Sequence, residues 1–194
     1  GRKTDTVGKR GREGEMKELN GLDIKIYLNR VANISVTPSS LRNQGGKGLV
    51  KKTRNYFLKN SLLSKFNKHN FEILLDEQTK KLMNVIKLRF GAARKSLNIF
   101  LLQSSLDRCL SNYYGLEKIL DKLELPLDSY TVKHLKKAAK NKKHLLPKWQ
   151  SIKKLNKKDN KKFQQFAETL AKGEGIPRAY LDLLYWRKQI EKKN

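Results

Sequence analysis

Apolar residues recur at helical spacing through most of this chain, and the alternation typical of strands is sustained nowhere. The clearest repeat is Ile24, Tyr27, Leu28 and Val31, which occupy positions i, i+3, i+4 and i+7 of one helical face. The chain has 194 residues, of which 38% are apolar, so one compact core can form. The pattern therefore predicts an all-α protein, with roughly eight to ten helices in a single domain.

Composition separates a tail from the helical region. Residues 1–15 hold no aromatic side chain, which predicts a disordered basic tail, and the Met16 that follows suggests that part of this tail is an added leader. The helical domain is expected to span residues 16–194, with a basic loop at 136–148. Helices are predicted over residues 38–44 between the cap Thr37 and the stop Gly45-Gly46, and over 48–59, 62–67, 70–88 with Asn70 as cap, 92–113, 116–122, 129–140, 160–173 and 178–192.

Charge is the strongest functional signal in the composition. Lysine and arginine number 44 against 18 acidic residues, which gives a net charge of +26. Such an excess attracts polyanions, so nucleic acid is the first candidate partner and an anionic membrane surface the second. No run approaches the length of about 18 apolar residues that a membrane-spanning helix needs, so no membrane-embedded role is expected.

Cysteine and histidine are too sparse to suggest a metal centre. Cys109 is the single cysteine and cannot form an internal disulfide, which fits a reducing compartment such as the cytoplasm or nucleoid and excludes cysteine-ligated zinc and iron–sulfur sites. The three histidines lack ligand spacing. We expect no metal and no cofactor.

The segment FGAARKSLNIFL, residues 90–101, predicts a helix–turn–helix boundary with Gly91 in the turn and Arg94 and Lys95 at the mouth of an apolar helix. The free N–H groups of a helix N-terminus bind phosphates. The same dipole disfavours a nearby ammonium, and a neutral amine is what nucleophilic chemistry requires. The alternative is that Lys95 is an ordinary exposed lysine.

The segment LPLDSYTVKHL, residues 125–135, places Asp128 where it would cap the following helix. A capping carboxylate stays ionised, because N–H bonds and the helix dipole favour its charged form. An ionised carboxylate can stabilise an oxocarbenium-like transition state and can take a proton from an amine. Asp128 can also be a cap and nothing more.

The segment GIPRAYLDLLYW, residues 175–186, brings Asp182 and Trp186 to one face of a helix, because they lie one turn apart. An aromatic plane beside a carboxylate can stack a flipped purine and accept bonds from its ring N–H groups. The alternative is that Trp186 anchors the core and Asp182 pairs with a lysine.

These three segments together resemble the helix-hairpin-helix DNA glycosylase superfamily, and most closely the archaeal 8-oxoguanine DNA glycosylases. The likeness covers roughly residues 80–190 and departs from the superfamily pattern at Ala93, where a second glycine is usual. It implies that Lys95 is the nucleophile, that Asp128 assists it, and that the helix carrying Asp182 and Trp186 lines the base pocket.

The sequence thus predicts a monomeric DNA repair glycosylase with associated AP lyase activity, acting on double-stranded DNA with a damaged base, 8-oxoguanine first. Lys95 would attack C1′ of the deoxyribose, with Asp128 supporting the charge, and β-elimination would cleave the strand. The alternative is a non-catalytic helical DNA- or RNA-binding protein. Phosphate contacts are expected from Gly91, Arg94, Lys136, Lys137, Lys142 and Lys143.

Overall fold

The computed structural model describes residues 21–41, 44, 46–59 and 62–191, without the side chains of residues 21–22, 142–143 and 187–191. No residue within these ranges lies in a strand, so the predicted all-α class is confirmed there. The basic tail predicted for residues 1–15 lies outside the described residues.

The α-helices are α1 (Gly21–Ser35), α2 (Leu49–Phe57), α3 (Phe71–Lys81), α4 (Phe90–Leu106), α5 (Arg108–Tyr114), α6 (Ser129–Ala138), α7 (Lys157–Glu174) and α8 (Leu181–Glu191). Short 3₁₀ segments run over Leu63–Lys65, Leu116–Lys122, Lys140–Leu145, Ile152–Lys154 and Arg178–Tyr180, and a π turn runs over Leu82–Ile86.

Two hydrophobic clusters make up the core of the described chain. The first cluster contains residues of α1, α2, α3, α4 and α5. In it Phe57 stacks on Phe100, with ring centroids 4.4 Å apart. The second joins α6, α7 and α8 around Leu135 and Phe163. The extended segment after residue 122 passes from the first cluster into the second at Leu125. Residues of α4 therefore pack against both clusters.

The turn before α4 differs from the predicted glycine turn. The π turn ends at Lys87, whose backbone is left-handed with φ 67°. Arg89, in extended conformation, is the N-cap residue of α4. Gly91 lies inside the first turn of α4, where a Cβ would overlap the carbonyl oxygen of Ile152. The prediction of Gly91 as a turn residue is wrong, because the glycine serves a close approach of backbones. A helix-hairpin-helix element is not shown here.

Several predicted boundaries also need correction. The helix predicted over 92–113 is interrupted at Asp107, whose carboxylate accepts a bond from the Leu110 N–H and starts α5. The helix predicted after Thr37 is a turn over residues 38–41. Asn70 precedes α3 without a capping bond from its side chain. The predicted loop at 136–148 contains the end of α6 and a 3₁₀ segment.

Candidate active site

Lys95 and Asp128 meet directly, although 33 positions separate them in the chain. The Lys95 Nζ donates to Asp128 Oδ2 at 2.9 Å. Lys95 projects from the second turn of α4, and Asp128 is the N-cap residue of α6. The side chains are 19% and 34% exposed, so the pair is sheltered and yet reachable from solvent.

Asp128 is held in place by the helix that it caps. Its Oδ1 accepts bonds from the N–H groups of Tyr130 and Thr131, both at 2.9 Å, while the Thr131 hydroxyl accepts from the Asp128 N–H. Oδ2 is thereby directed towards Lys95. Burial raises the pKa of Asp128, but the Lys95 charge and the Thr131 N–H outweigh it and hold that pKa below its usual range. The carboxylate is therefore ionised at neutral pH.

The same pair lines a cavity of about 260 Å³ that Asp182 and Trp186 also line. Asp182 lies in the first turn of α8. Burial, and then the nearby charge of Asp128, raise the pKa of Asp182 to about 6, against the opposing effect of Lys95. The cavity thus holds one firmly ionised carboxylate and one that changes charge close to neutral pH.

Trp186 stands at the cavity as a half-exposed ring. Its side chain is 50% exposed, and its centroid lies 5.2 Å from that of Tyr130, with the planes 31° apart. The Tyr130 hydroxyl donates to the Tyr185 carbonyl at 2.8 Å, and this bond holds the Tyr130 ring against α8. Trp186 is therefore not a core anchor, and its ring is available to a ligand.

A further part of the cavity wall comes from the end of α1 and the turn that follows, which sequence reasoning did not assign to the site. Ser35, Thr37, Ser39 and Ser40 contribute hydroxyl groups, and the Thr37 and Ser39 hydroxyls lie 2.9 Å apart. Ile34, 51% exposed, adds an apolar edge. The TPSS run was a visible signal, but as local sequence it indicated only a helix start.

Arg94 does not have the role that we predicted. It is 6% exposed, and its guanidinium makes a two-pronged contact with Glu124 at 2.9 and 3.0 Å. Its Nη1 donates to Asp76 at 2.9 Å and to the Thr79 hydroxyl at 3.0 Å. With its donors committed inside the protein, Arg94 is not free to bind a DNA phosphate. Gly91 is likewise buried against the backbone near Ile152 and presents no surface to DNA.

The remaining predicted phosphate contacts lie on or after α6. Lys137 is exposed and Lys136 half-buried in the last turn of that helix. Lys142 and Lys143 belong to the Lys140–Leu145 segment, but their side chains lie outside the described part of the structure. Phosphate binding by these four lysines stays a prediction.

Within the described ranges, no cluster of three or more His, Cys, Asp or Glu side chains is placed to bind a metal ion. Among the same residues, the helices are too short or too polar to cross a bilayer. Comparison of the chain with models of protein families, with curated protein sequences and with solved structures finds no match.

Proposed function

We propose that the protein is a DNA glycosylase with AP lyase activity, acting on duplex DNA from which a damaged base is turned out. The observation that carries the proposal is the Lys95 amine, 2.9 Å from an ionised Asp128 at the edge of a cavity that Asp182 and Trp186 also line. A sheltered amine beside a carboxylate is the arrangement that imine-forming enzymes use. The choice of 8-oxoguanine as first substrate rests on the resemblance of the three sequence segments.

The chemistry follows from the two groups in contact. Asp128 takes a proton from the Lys95 ammonium, and the free amine attacks C1′ of the extruded nucleotide. The glycosidic bond breaks, and the base leaves with the bonding electron pair and acquires a proton. The sugar ring then opens to give an imine between Lys95 and C1′. Loss of a C2′ proton expels the 3′ phosphate, which cleaves the strand.

Base selection in this proposal falls to α8. The half-exposed Trp186 ring offers a stacking face, and Asp182 offers a hydrogen-bond acceptor when it is ionised. The net charge of +26 supplies the phosphate attraction that brings a duplex to the cavity. The Ser35 and Ser40 hydroxyls that line the cavity already donate to backbone carbonyls, so the Thr37–Ser39 hydroxyl pair is left to meet a polar ligand edge.

Borohydride trapping tests the proposal. Duplexes with an abasic site or with 8-oxoguanine are incubated with the parent chain, Lys95→Gln and the control Lys133→Gln, which changes an exposed lysine on α6. The parent and the control should yield a covalent protein–DNA adduct, and Lys95→Gln should yield none. An adduct that persists in Lys95→Gln at full yield would remove Lys95 as the nucleophile.

The Lys95–Asp128 contact is also what an ordinary ion pair would show, and it therefore supports a second candidate, a non-catalytic protein that binds DNA or structured RNA through its basic surface. In that case the parent chain forms no adduct with any duplex. Lys95→Gln would then weaken binding in a salt-dependent way and abolish no activity, and competition between duplex DNA and folded RNA would identify the preferred polymer.

A further inference from the structure

A buried extended segment carries Asp128 into the cavity. Leu123, Leu125 and Leu127 are each at most 2% exposed, and they lead directly to Asp128. Buried backbone N–H and C=O groups need hydrogen-bond partners. In the part of the chain that the structure describes, no strand lies alongside, and side chains supply partners to this segment.

Gln164 of α7 is the central partner of this segment. Its Oε1 accepts from the Leu125 N–H at 2.9 Å, and its Nε2 donates to the Leu125 carbonyl at 2.8 Å. One amide thus reproduces both bonds that a neighbouring strand would make. Gln164 is 3% exposed and is not among the residues that line the cavity.

Two further residues hold the segment near its ends. Arg178 donates to the carbonyls of Leu123 and Lys122 at 3.2 and 3.1 Å. Near the other end, the Thr131 hydroxyl lies 3.2 Å from the Pro126 carbonyl. Loss of the Gln164 amide would therefore remove both bonds to the backbone of Leu125 and leave the attachments on either side of that residue.

The segment is also tied to α4 one residue before Lys95. Glu124 receives the two-pronged contact from Arg94, and its carboxylate accepts from the Asn98 amide at 3.1 Å. Arg94–Glu124 and Lys95–Asp128 are thus successive links between the same two pieces of chain. The separation of these pieces decides whether Lys95 and Asp128 can touch.

From this arrangement we propose that Gln164 is a positioning residue for the reaction: its paired bonds to Leu125 fix the segment that presents Asp128 to Lys95. The role in chemistry rests on the proposed function, whereas the effect on Asp128 does not. Gln164 acts from outside the cavity, through the backbone of residues 125–128. An error of about 1 Å in the placement of a reacting group lowers rates by up to roughly a hundredfold.

The first measurement is the titration of the Asp128 carboxyl by carbon NMR in the full chain. The variants are Gln164→Met, which keeps the length of the side chain and removes both bonds, and the control Gln165→Met, an exposed glutamine one position along α7. The charged groups that face Asp128 are Lys95 of α4 and Asp182 of α8. The pKa of Asp128 should lie below its usual range in the parent and the control, and should rise in Gln164→Met as contact with Lys95 loosens.

The second measurement is the rate of borohydride trapping on a saturating abasic duplex, below the melting temperature of each variant. Gln164→Met should trap roughly tenfold to a hundredfold more slowly, with unchanged duplex affinity, and Gln165→Met should match the parent. Gln164→Glu is the rescue variant, because a neutral carboxyl both accepts and donates whereas a carboxylate only accepts. Its trapping rate, relative to that of Gln164→Met, should increase as the pH falls. If Gln164→Met does not fold, the rate of Gln164→Glu is compared with that of the parent chain at each pH.

The two measurements separate the possible failures. A parent chain that forms no adduct overturns the proposed function and the catalytic part of this inference, while the NMR titration still decides whether Gln164 places Asp128. An unchanged pKa of Asp128 in folded Gln164→Met overturns the positioning role. A trapping rate that declines only in step with the melting temperature, and equally in Gln164→Glu at every pH, reduces Gln164 to a structural residue.

Discussion

At the scale of single residues, the variant Trp186→Ala should separate base recognition from strand cleavage. Base–aromatic stacking contributes about 1–3 kcal/mol, so Trp186→Ala should reduce base excision by roughly tenfold to a hundredfold. Cleavage of a preformed abasic site should fall much less, because no base remains to be stacked while Lys95 and Asp128 are intact. Both activities are measured on the same preparation.

The structure also decides what Trp186→Ala should do to stability. Because half of the ring is exposed, the melting temperature should change little, as is usual for substitutions at the surface. Tyr113→Ala is the matched control, since Tyr113 is 55% exposed and does not line the cavity. A Trp186→Ala protein that loses both activities in parallel with its melting temperature would contradict a role in base binding.

Asp182 gives the site a pH dependence of known sign. Its folded pKa, about 6, lies above the ordinary 3.8, so the folded state binds this proton more tightly than the unfolded state does. This contribution therefore lowers stability as the pH rises from below 4 through 6. Asp182→Asn removes the titration, and it should stabilise the fold by up to about 3 kcal/mol at neutral pH and by almost nothing in acid.

Denaturant unfolding of the parent chain and Asp182→Asn over this pH range measures the effect. The difference between the two free energies of unfolding should shrink as the pH falls through about 6. A difference that does not vary with pH would show that partial burial and the charge of Asp128 do not raise the pKa of Asp182. Base excision should respond as well, since only the ionised carboxylate accepts bonds at both oxygens.

At the scale of elements, the junction of α4 with the Ile152–Lys154 segment depends on a glycine. In Gly91→Ala the new Cβ meets the Ile152 carbonyl oxygen, a backbone atom that cannot rotate away. We expect a loss of about 1–3 kcal/mol in the free energy of unfolding, as for other overpacked sites. Thermal melting and denaturant titration measure it.

Gly173 is the matched control, because it also lies within a helix, α7, and an added Cβ would meet no atom within 4 Å apart from its chain neighbours and the backbone of its own helix. Gly173→Ala should be neutral or should stabilise by up to about 1 kcal/mol, since alanine favours the helix. Equal stability of the two variants would mean that α4 does not pack on the Ile152 backbone.

The sequence predicted elements better than it predicted contacts. Helical periodicity identified α2, α6 and α7 to within a few residues, and Asp128 was recognised as a cap because its signal is local. Arg94 was misread because the partner that removes it from the surface, Glu124, lies 30 positions away. Hydrogen bonds between residues so far apart in the sequence depend on how the elements pack, and the periodicity of apolar residues does not encode that packing.

The candidate site shows the same division. The grouping of Lys95, Asp128, Asp182 and Trp186 was expected from a resemblance of short segments, and the structure brings these four residues to one cavity. The contribution of Ser35–Ser40 to the cavity wall and the bonds from Gln164 to Leu125 were not predicted. A serine in a turn and a glutamine in a helix look the same in sequence whether or not they face a neighbour.

At the scale of the whole molecule, three partly buried carboxylates are paired with basic residues, and lysines and arginines greatly outnumber acidic residues in the chain. Asp76, Glu124 and Asp128 each contact a basic residue, and each has a pKa below its usual range, because the pull of that partner outweighs the effect of burial. The unmatched charge is therefore carried by exposed lysines and arginines. This distribution favours a partner with a regular array of negative charges.

Binding of an undamaged duplex should consequently depend steeply on salt. A surface that makes about 6–10 phosphate contacts loses roughly 10³–10⁵ in affinity between about 50 and 200 mM salt, because bound counterions are released.

Replacing Lys136 and Lys137 together by glutamine should lower the slope of log affinity against log salt by about 2 if both lysines touch phosphates. Lys81→Gln is the control, since Glu77 already neutralises Lys81 at 2.5 Å. A slope that is flat in the parent would argue against a DNA-tracking surface. Because the control loses one charge and the α6 variant loses two, a fall of about 1 in the control would show that net charge alone, rather than contact by α6, sets the affinity.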